Sequence, residues 1–188
     1  MKKSLGARAL AYPTPVWVIG TYDSKGRANM ATAAWVGICA SNPPAVFVSF
    51  RRDRYTCANI MEKKAFTVNI PSENYIEETD YFGIKTGRKH DKLAGVGLIP
   101  VKSDMVDAPY IKEFPCVIEC RLLNYVEIGS HTAFIGEILD VKIEEAMLGN
   151  GDIPDIERLK PLLLMPCSTS YYGIGKYLGK VYSIGESI

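Results

Sequence analysis

Three arginines and a threonine follow a predicted buried strand and precede a predicted helix. The strand covers about 45–50 and the helix about 57–64, with Arg51, Arg54 and Thr56 between them. Guanidinium groups and the free N–H groups at a helix start both suit a phosphate. Alternatively, Thr56 is only the N-cap of the helix and the arginines are solvated. The local sequence leaves both interpretations open.

One aromatic and two basic positions form a second set of candidates. Trp35 lies in the uncharged stretch 28–50, as a core residue or as the wall of a site for a flat aromatic ligand. His131 stands at a predicted hairpin end, where its imidazole either faces a cleft or is simply exposed. The basic loop 83–97, which contains Lys92, could meet an anionic ligand, although such a run is usually a solvated surface.

Composition excludes several classes of protein. The 188 residues contain 22 Lys+Arg and 21 Asp+Glu, a formal net charge of +1. A domain that binds nucleic acid by bulk charge has a pI above about 9, so no nucleic-acid partner is expected. The cysteine count is odd, at five, without a CxxC pair, and there are two histidines. We therefore expect neither a disulfide framework nor a metal site.

The uncharged stretch 28–50 is long enough to span a bilayer. Asn29 and the turn residues 42–44 interrupt it, and a break exposed to lipid is not tolerated in mid-membrane. The stretch is therefore predicted to form two buried strands, and no membrane partner is expected. The first residues also lack the apolar region of a signal peptide, which favours a cytoplasmic location.

Hydrophobic patterning predicts a mostly β chain with short helices between the strands. A closed or partly closed antiparallel barrel buries such strands and hides most of their edges. No linker is visible, so one domain over 1–188 is predicted. The predicted strands cover 16–22, 28–38, 45–50, 65–70, 117–127 and 132–143, and the predicted helices cover 57–64 and 72–81.

Alternation assigns the faces of the last two predicted strands. In 117–127, Ile118 and Cys120 point to one face, and Glu119 points to the opposite, polar face. In 132–143, the residues that share a face are Ile135, Leu139, Val141 and Ile143. The two strands are predicted to form a hairpin.

Five segments, in this order along the chain, resemble the flavin reductase-like, FMN-binding split-barrel family. They are residues 29–35, 42–50, 54–56, 87–92 and 129–137. Each segment alone is moderately specific, whereas the ordered set is strong.

The resemblance extends over about 13–182 and implies a six-stranded antiparallel split barrel of Greek-key topology. It further implies a homodimer with FMN at or near the interface. Thr56 and the neighbouring arginines would hold the FMN phosphate, Lys92 would approach the pyrimidine side of the ring, and His131 would lie near the ring. The full set implied to bind the cofactor is Asn29, Thr32, Ala33, Ala34, Trp35, Ser49, Phe50, Arg51, Arg54, Thr56, Lys92 and His131.

Three functions are compatible with this resemblance. In the first, which we favour, the chain is an FMN-dependent oxidoreductase that takes electrons from NAD(P)H. In the second, it is an electron carrier between protein partners. In the third, it is a non-redox module that binds another phosphorylated aromatic ligand. The cofactor performs the redox chemistry in the first two, so no catalytic residue is assigned, and His131 is a candidate only for tuning the flavin.

Overall fold

Strands dominate the computed structural model, which describes residues 1–186. Most predicted strands are confirmed within a few residues of their ends. The strands are β1 (Thr14–Pro15), β2 (Trp17–Tyr22), β3 (Ala28–Ala33), β4 (Val36–Ser41), β5 (Pro44–Arg51), β6 (Ala65–Ile70), β7 (Pro100–Lys102), β8 (Pro109–Ile111), β9 (Cys116–Ile128), β10 (His131–Ile143), β11 (Leu163–Met165) and β12 (Ser170–Tyr172).

Short helices connect the strands. Helix α3 (Lys92–Val96) is capped at its start, where the Asp91 carboxylate accepts a bond from the Ala94 N–H at 3.1 Å. Gly97, at a φ of 73°, ends the same helix in the left-handed conformation that glycine adopts freely. The α-helices are α1 (Tyr55–Lys63), α2 (Ile76–Ile84), α3 (Lys92–Val96) and α4 (Ile156–Leu159), and 3₁₀ turns cover Glu73–Tyr75 and Glu145–Met147.

The main sheet is antiparallel and curls until its two edges meet. Its strand order is β3-β2-β6-β9-β10-β5-β4. Only Ala34 and Trp35 separate β3 from β4, although these strands are the opposite edges of the sheet. The Ser49 N–H donates to the Trp35 carbonyl at 2.9 Å and fixes this junction. The predicted mostly β split barrel is thus confirmed.

The prediction of one continuous strand over 28–38 is wrong. The chain leaves one edge of the sheet at Ala33 and joins the other edge at Val36. The main sheet accordingly has seven strands where the resemblance implied six. Residues on both sides of the break are uncharged and mostly apolar, so their pattern contains no sign of it.

The barrel interior is filled by apolar side chains from every strand of the main sheet. Phe66 and Phe134 are completely buried there, and full burial of such a ring stabilises the fold by about 1.5–3 kcal/mol. Gly136 makes this packing possible, because a Cβ at that position would lie 2.4 Å from the Phe66 ring. The buried cluster also contains Trp17, Ile19, Val46, Val48, Phe50, Ile60, Val68 and Cys120.

Two predictions about strand faces need correction. Glu119 is fully buried, because the loop between β7 and β8 lies against it at Met105. Its carboxylate accepts bonds from the Met105 N–H at 2.8 Å and from the Lys142 ammonium.

In β10 the most buried large side chain is Phe134, which is outside the predicted set. Register shifts after Ile135 and Ile138 interrupt the alternation of faces along this strand.

A second apolar cluster lies on the outside of the main sheet. It joins Met30 of β3 to Phe82 of α2 and Leu93 of α3. These contacts hold both helices against β3, next to the junction of the sheet edges. Across residues 1–186, no helix is both long and apolar enough to cross a membrane.

Candidate functional site

A cavity of about 340 Å³ lies at the junction where the two edges of the main sheet meet. Nine of the twelve residues predicted to bind a cofactor line it. They come from the end of β3, the junction itself, the end of β5, the N-cap of α1 and the start of β10. These residues are Thr32, Ala33, Ala34, Trp35, Ser49, Phe50, Arg51, Arg54 and His131.

Strand pairing brings these distant residues together. In the antiparallel pair of β5 and β10, His131 lies opposite Arg51 and Thr132 opposite Phe50. His131 thus stands at the rim of the cavity, where its Nδ1 is 2.9 Å from the Ser130 hydroxyl. Trp35 is 43% exposed, so it is a cavity wall and not the core tryptophan of the alternative interpretation.

The remaining three predicted residues, Asn29, Thr56 and Lys92, line a much smaller pocket, of about 20 Å³, beside this cavity. The two spaces share walls at Thr32 and Arg54, so they adjoin. We call the larger space the main cavity and the smaller one the side pocket. The structure therefore divides the predicted set into two adjoining groups.

Thr56 lies within α1 and faces the side pocket. The helix begins at Tyr55 with Arg54 as its N-cap, so the N-cap role predicted for Thr56 is wrong. The hydroxyl of Thr56 accepts a bond from the Asn29 amide at 3.1 Å. Its own hydrogen is left to donate to a ligand.

Lys92 is a buried cation in the side pocket, only 4% exposed. Its ammonium donates to the Phe82 carbonyl at 3.0 Å and to the Lys85 carbonyl at 3.3 Å. No carboxylate within residues 1–186 forms an ion pair with it. Burial, with a smaller contribution from the nearby Arg54, lowers its pKa to about 8. A buried charge of this kind is stabilised when an anion binds beside it.

Asn29 offers an acceptor in the same pocket. Its amide nitrogen is bonded to two threonine hydroxyls, while its buried Oδ1 has no hydrogen-bond partner in the described part of the chain. Gly87 lies directly against this oxygen, since a Cβ there would be 2.1 Å away. A free acceptor, a free hydroxyl donor and a buried ammonium together suit a ligand that has both hydroxyl and phosphate groups.

Comparison with known proteins identifies the family. Residues 8–172 match the family described as the flavin reductase like domain. The chain belongs to this family. The structure of a flavoredoxin from Desulfovibrio vulgaris (Miyazaki F) is 49% identical, covers 99% of this chain and 100% of its own, and superposes with a TM-score of 0.95.

Two more distant relatives agree with this assignment. A flavoredoxin from Methanosarcina acetivorans is 34% identical, covers 100% of this chain and 97% of its own, and superposes with a TM-score of 0.89. A ferric-chelate reductase (NAD(P)H) from Archaeoglobus fulgidus is 27% identical over 66% of this chain and 73% of its own. Family and neighbours together support a flavin-binding redox function.

In this flavin reductase like protein, a basic surface borders both spaces. Arg51, Arg54 and Arg88 line an open depression of about 330 Å³ outside the side pocket. Arg54 is fixed by a bond from its Nη1 to the Gly83 carbonyl at 3.2 Å, and the Arg88 guanidinium lies 5.1 Å from the centre of the Tyr55 ring. Of the arginines predicted to be near a phosphate, Arg54 shares the side pocket with Thr56 and Lys92.

Sequence reasoning missed four residues of the main cavity: Val16, Gly83, Leu164 and Tyr171. Leu164 and Tyr171 belong to the small sheet of order β1-β11-β12, which is separate from the barrel. They lie more than 100 residues from Trp35 in the chain. Only the packing of the small sheet against the barrel brings them to the site, so no local signal could have found them.

Proposed function

We propose that this protein binds FMN, with the flavin ring in the main cavity and the phosphate where the side pocket adjoins the arginine-lined depression. The observation that carries the proposal is the buried Lys92 ammonium without a carboxylate partner among the described residues. Thr56 and Arg54 supply further donors around it. Hydrogen bonds between such groups and phosphate are charge-assisted and therefore strong.

Lys92 shares its pocket with Thr56, and not with Trp35 or Ser49. We therefore assign Lys92 to the phosphate end of FMN, in place of the pyrimidine side of the ring that the resemblance implied. Trp35, Ser49 and Phe50 would then line the ring. His131 would stand at the rim of the same cavity, near the ring.

The function we propose is electron transfer through bound FMN between NAD(P)H or a redox protein and an acceptor. FMN supplies the redox chemistry when it is bound, and the protein contributes binding, orientation and electrostatics. The relatives named flavoredoxin and ferric-chelate reductase (NAD(P)H) support this assignment. We infer that the chain acts as an oxidoreductase if nicotinamide reduces it directly, and as a carrier if only a protein donor does.

We also propose that the protein works as a homodimer with FMN near the interface. Leu123, Tyr125, Val126 and Ile128 are exposed apolar side chains near the end of the β9–β10 hairpin. His131 pairs with Ile128 in this hairpin, so the patch adjoins the rim of the main cavity. Exposed apolar clusters of this kind mark interfaces.

One series of measurements on the purified protein tests the assignment. The absorbance spectrum reports whether a flavin is bound, and chromatography after heat release separates FMN from FAD. Anaerobic stopped-flow mixing with NADH or NADPH then distinguishes an oxidoreductase from a carrier. A preparation that gains no flavin spectrum after incubation with FMN would exclude the proposed function and leave the non-redox module.

A further inference from the structure

The small sheet forms a wall of the main cavity that is independent of the barrel. Leu164 of β11 lies opposite Tyr171 of β12 in register, and both side chains line the cavity. The cavity, at about 340 Å³, is at the small end of the range of roughly 300–1,000 Å³ for ligand pockets. A movement of this wall therefore changes what can enter.

A hydrogen bond fixes the position of this wall. The Tyr171 hydroxyl donates to the Asp80 carboxylate of α2 at 3.0 Å. Burial, reinforced by this bond, raises the pKa of Tyr171 to about 12, so the phenol remains a donor at neutral pH. The hydroxyl is thus occupied by α2, and the ring is the part of Tyr171 that is available to the cavity.

Helix α2 is itself tied to the opposite side of the cavity. Its Gly83 carbonyl accepts from Arg54, and its Thr79 carbonyl accepts from the Thr32 hydroxyl. Arg54, Thr32 and Gly83 all line the main cavity. The bond between Tyr171 and Asp80 therefore closes a ring of contacts around the cavity, from barrel to helix to small sheet.

We propose that Tyr171 is a specificity-determining residue whose ring, held in place by Asp80, limits the reactants of the cavity to flat molecules. This inference rests on the proposed binding of FMN, and it assigns to the small sheet the control of access to the flavin. Asp80 is a positioning residue, since it acts only through Tyr171.

The test compares two oxidants of one chemical class that differ in bulk. The FMN-loaded protein is reduced anaerobically with dithionite and mixed with 1,4-benzoquinone or with 2,6-di-tert-butyl-1,4-benzoquinone. Two electrons and one proton leave the reduced flavin anion for the quinone, which takes a second proton from water to become the hydroquinone. The ratio of the two reoxidation rates measures discrimination by size, and comparison with the wild type cancels the difference in quinone potential.

We expect Tyr171→Ala to reduce the preference for the small quinone by about tenfold, the usual scale of steric discrimination in a pocket. Tyr171→Phe keeps the ring but loses the bond to Asp80, so it should reduce the preference as Asp80→Ala does, and Tyr171→Trp should increase the preference. Asp80→Ala should loosen the wall without touching the cavity, whereas Asp80→Asn retains an oxygen acceptor and should restore the wild-type ratio. Tyr172→Ala is the matched control, because Tyr172 is the exposed neighbour of Tyr171.

Three results would overturn the inference. The first is an unchanged ratio in both Tyr171→Ala and Asp80→Ala when the flavin spectrum shows that they bind FMN. The second is an equal change in Tyr172→Ala, which would make the effect a general loosening of the small sheet. The third is a wild-type protein that binds no FMN, which contradicts the proposed function itself and is recognised from absorbance before any quinone is added.

Discussion

The fold buries the charge of Lys92, and no carboxylate among residues 1–186 forms an ion pair with it. Its pKa of about 8 lies below the ordinary value of 10.5, so the unfolded chain binds more protons than the folded one between these pH values. The contribution of this residue to stability is therefore least favourable below pH 8, and it improves as pH rises toward 10.5. The corresponding free energy is about 3 kcal/mol.

The first prediction is that Lys92→Met stabilises the apoprotein at pH 7 and that this gain disappears near pH 10.5. Denaturant unfolding of wild type and variant at both pH values measures the difference. Lys89→Met is the control, because Lys89 is exposed on the same loop. A gain in stability that is the same at both pH values would show that the charge of Lys92 is not its cause.

The second prediction concerns FMN affinity. A bound phosphate favours the protonated lysine, so FMN affinity should fall as pH rises above about 8, where the apoprotein must take up a proton to bind. Lys92→Met should bind FMN more weakly at pH 7 and should lose this part of the pH dependence. Fluorescence titration of FMN at pH 7 and pH 9 measures both effects, and an equal dependence in wild type and variant would contradict the assignment of Lys92 to the phosphate.

The third prediction is that Thr56→Ala weakens FMN binding more than it weakens folding. Loss of a hydrogen bond to a charged group costs about 1.5–3 kcal/mol, which corresponds to roughly ten- to hundredfold in dissociation constant. Folding should change little, because Thr56 is not the N-cap and the Asn29 amide retains its bond to Thr21 at 3.3 Å. Thr56→Ser, which keeps the hydroxyl, should restore affinity; if it binds as weakly as Thr56→Ala, the hydroxyl is not the contact.

At the scale of secondary structure, the buried Glu119 connects β9 to β10 and to the segment before β8. Removing one partner of a buried ion pair leaves an uncompensated charge and costs about 3–5 kcal/mol. The fourth prediction is that Lys142→Met destabilises the protein by this order in denaturant unfolding. Asp104→Asn, which alters an exposed partner of the same lysine, should have little effect. If the two variants prove equally stable, Glu119 does not depend on Lys142.

Strand alternation and turn residues were sufficient to predict most of the elements. One face of each strand is buried, so apolar and polar residues alternate along its sequence. They failed where a strand is covered on both sides. Glu119 has the residue type of an exposed position, yet the loop that contains Met105 lies against it. They also failed at Ala34 and Trp35, where the chain changes edges with no change of composition.

The candidate site was likewise predictable in part. Residues in contiguous motifs, such as those of β3 and β5, were identified by resemblance and line one cavity. The positions contributed by the small sheet were not identified, because Leu164 and Tyr171 reach the cavity only through long-range packing. The buried state of Lys92 also follows from tertiary structure, because in the sequence the residue is one of several basic residues in a loop.

At the scale of the whole molecule, the exposed apolar end of the β9–β10 hairpin predicts self-association. The fifth prediction is that Ile128→Glu converts a dimer of about twice 20.8 kDa into a monomer and weakens FMN binding, because Ile128 adjoins His131 at the cavity rim. Sedimentation velocity at micromolar concentration measures the mass. Ile153→Glu is the control, as Ile153 is an exposed apolar residue that lies outside the hairpin. A wild-type monomer that binds FMN would contradict the proposed interface.

The link of two residues between β3 and β4 has a consequence for how this chain can vary. Surface connections usually tolerate insertions. Here an added residue would separate the two edges of the sheet and move Trp35 away from the wall of the cavity. The turn at 42–43, at the far end of β4, joins two strands that are already neighbours and does not hold the two edges of the sheet together. Natural variation in loop length should therefore accumulate at that turn, while the link between Ala33 and Val36 keeps a constant length in proteins that bind the same ligand.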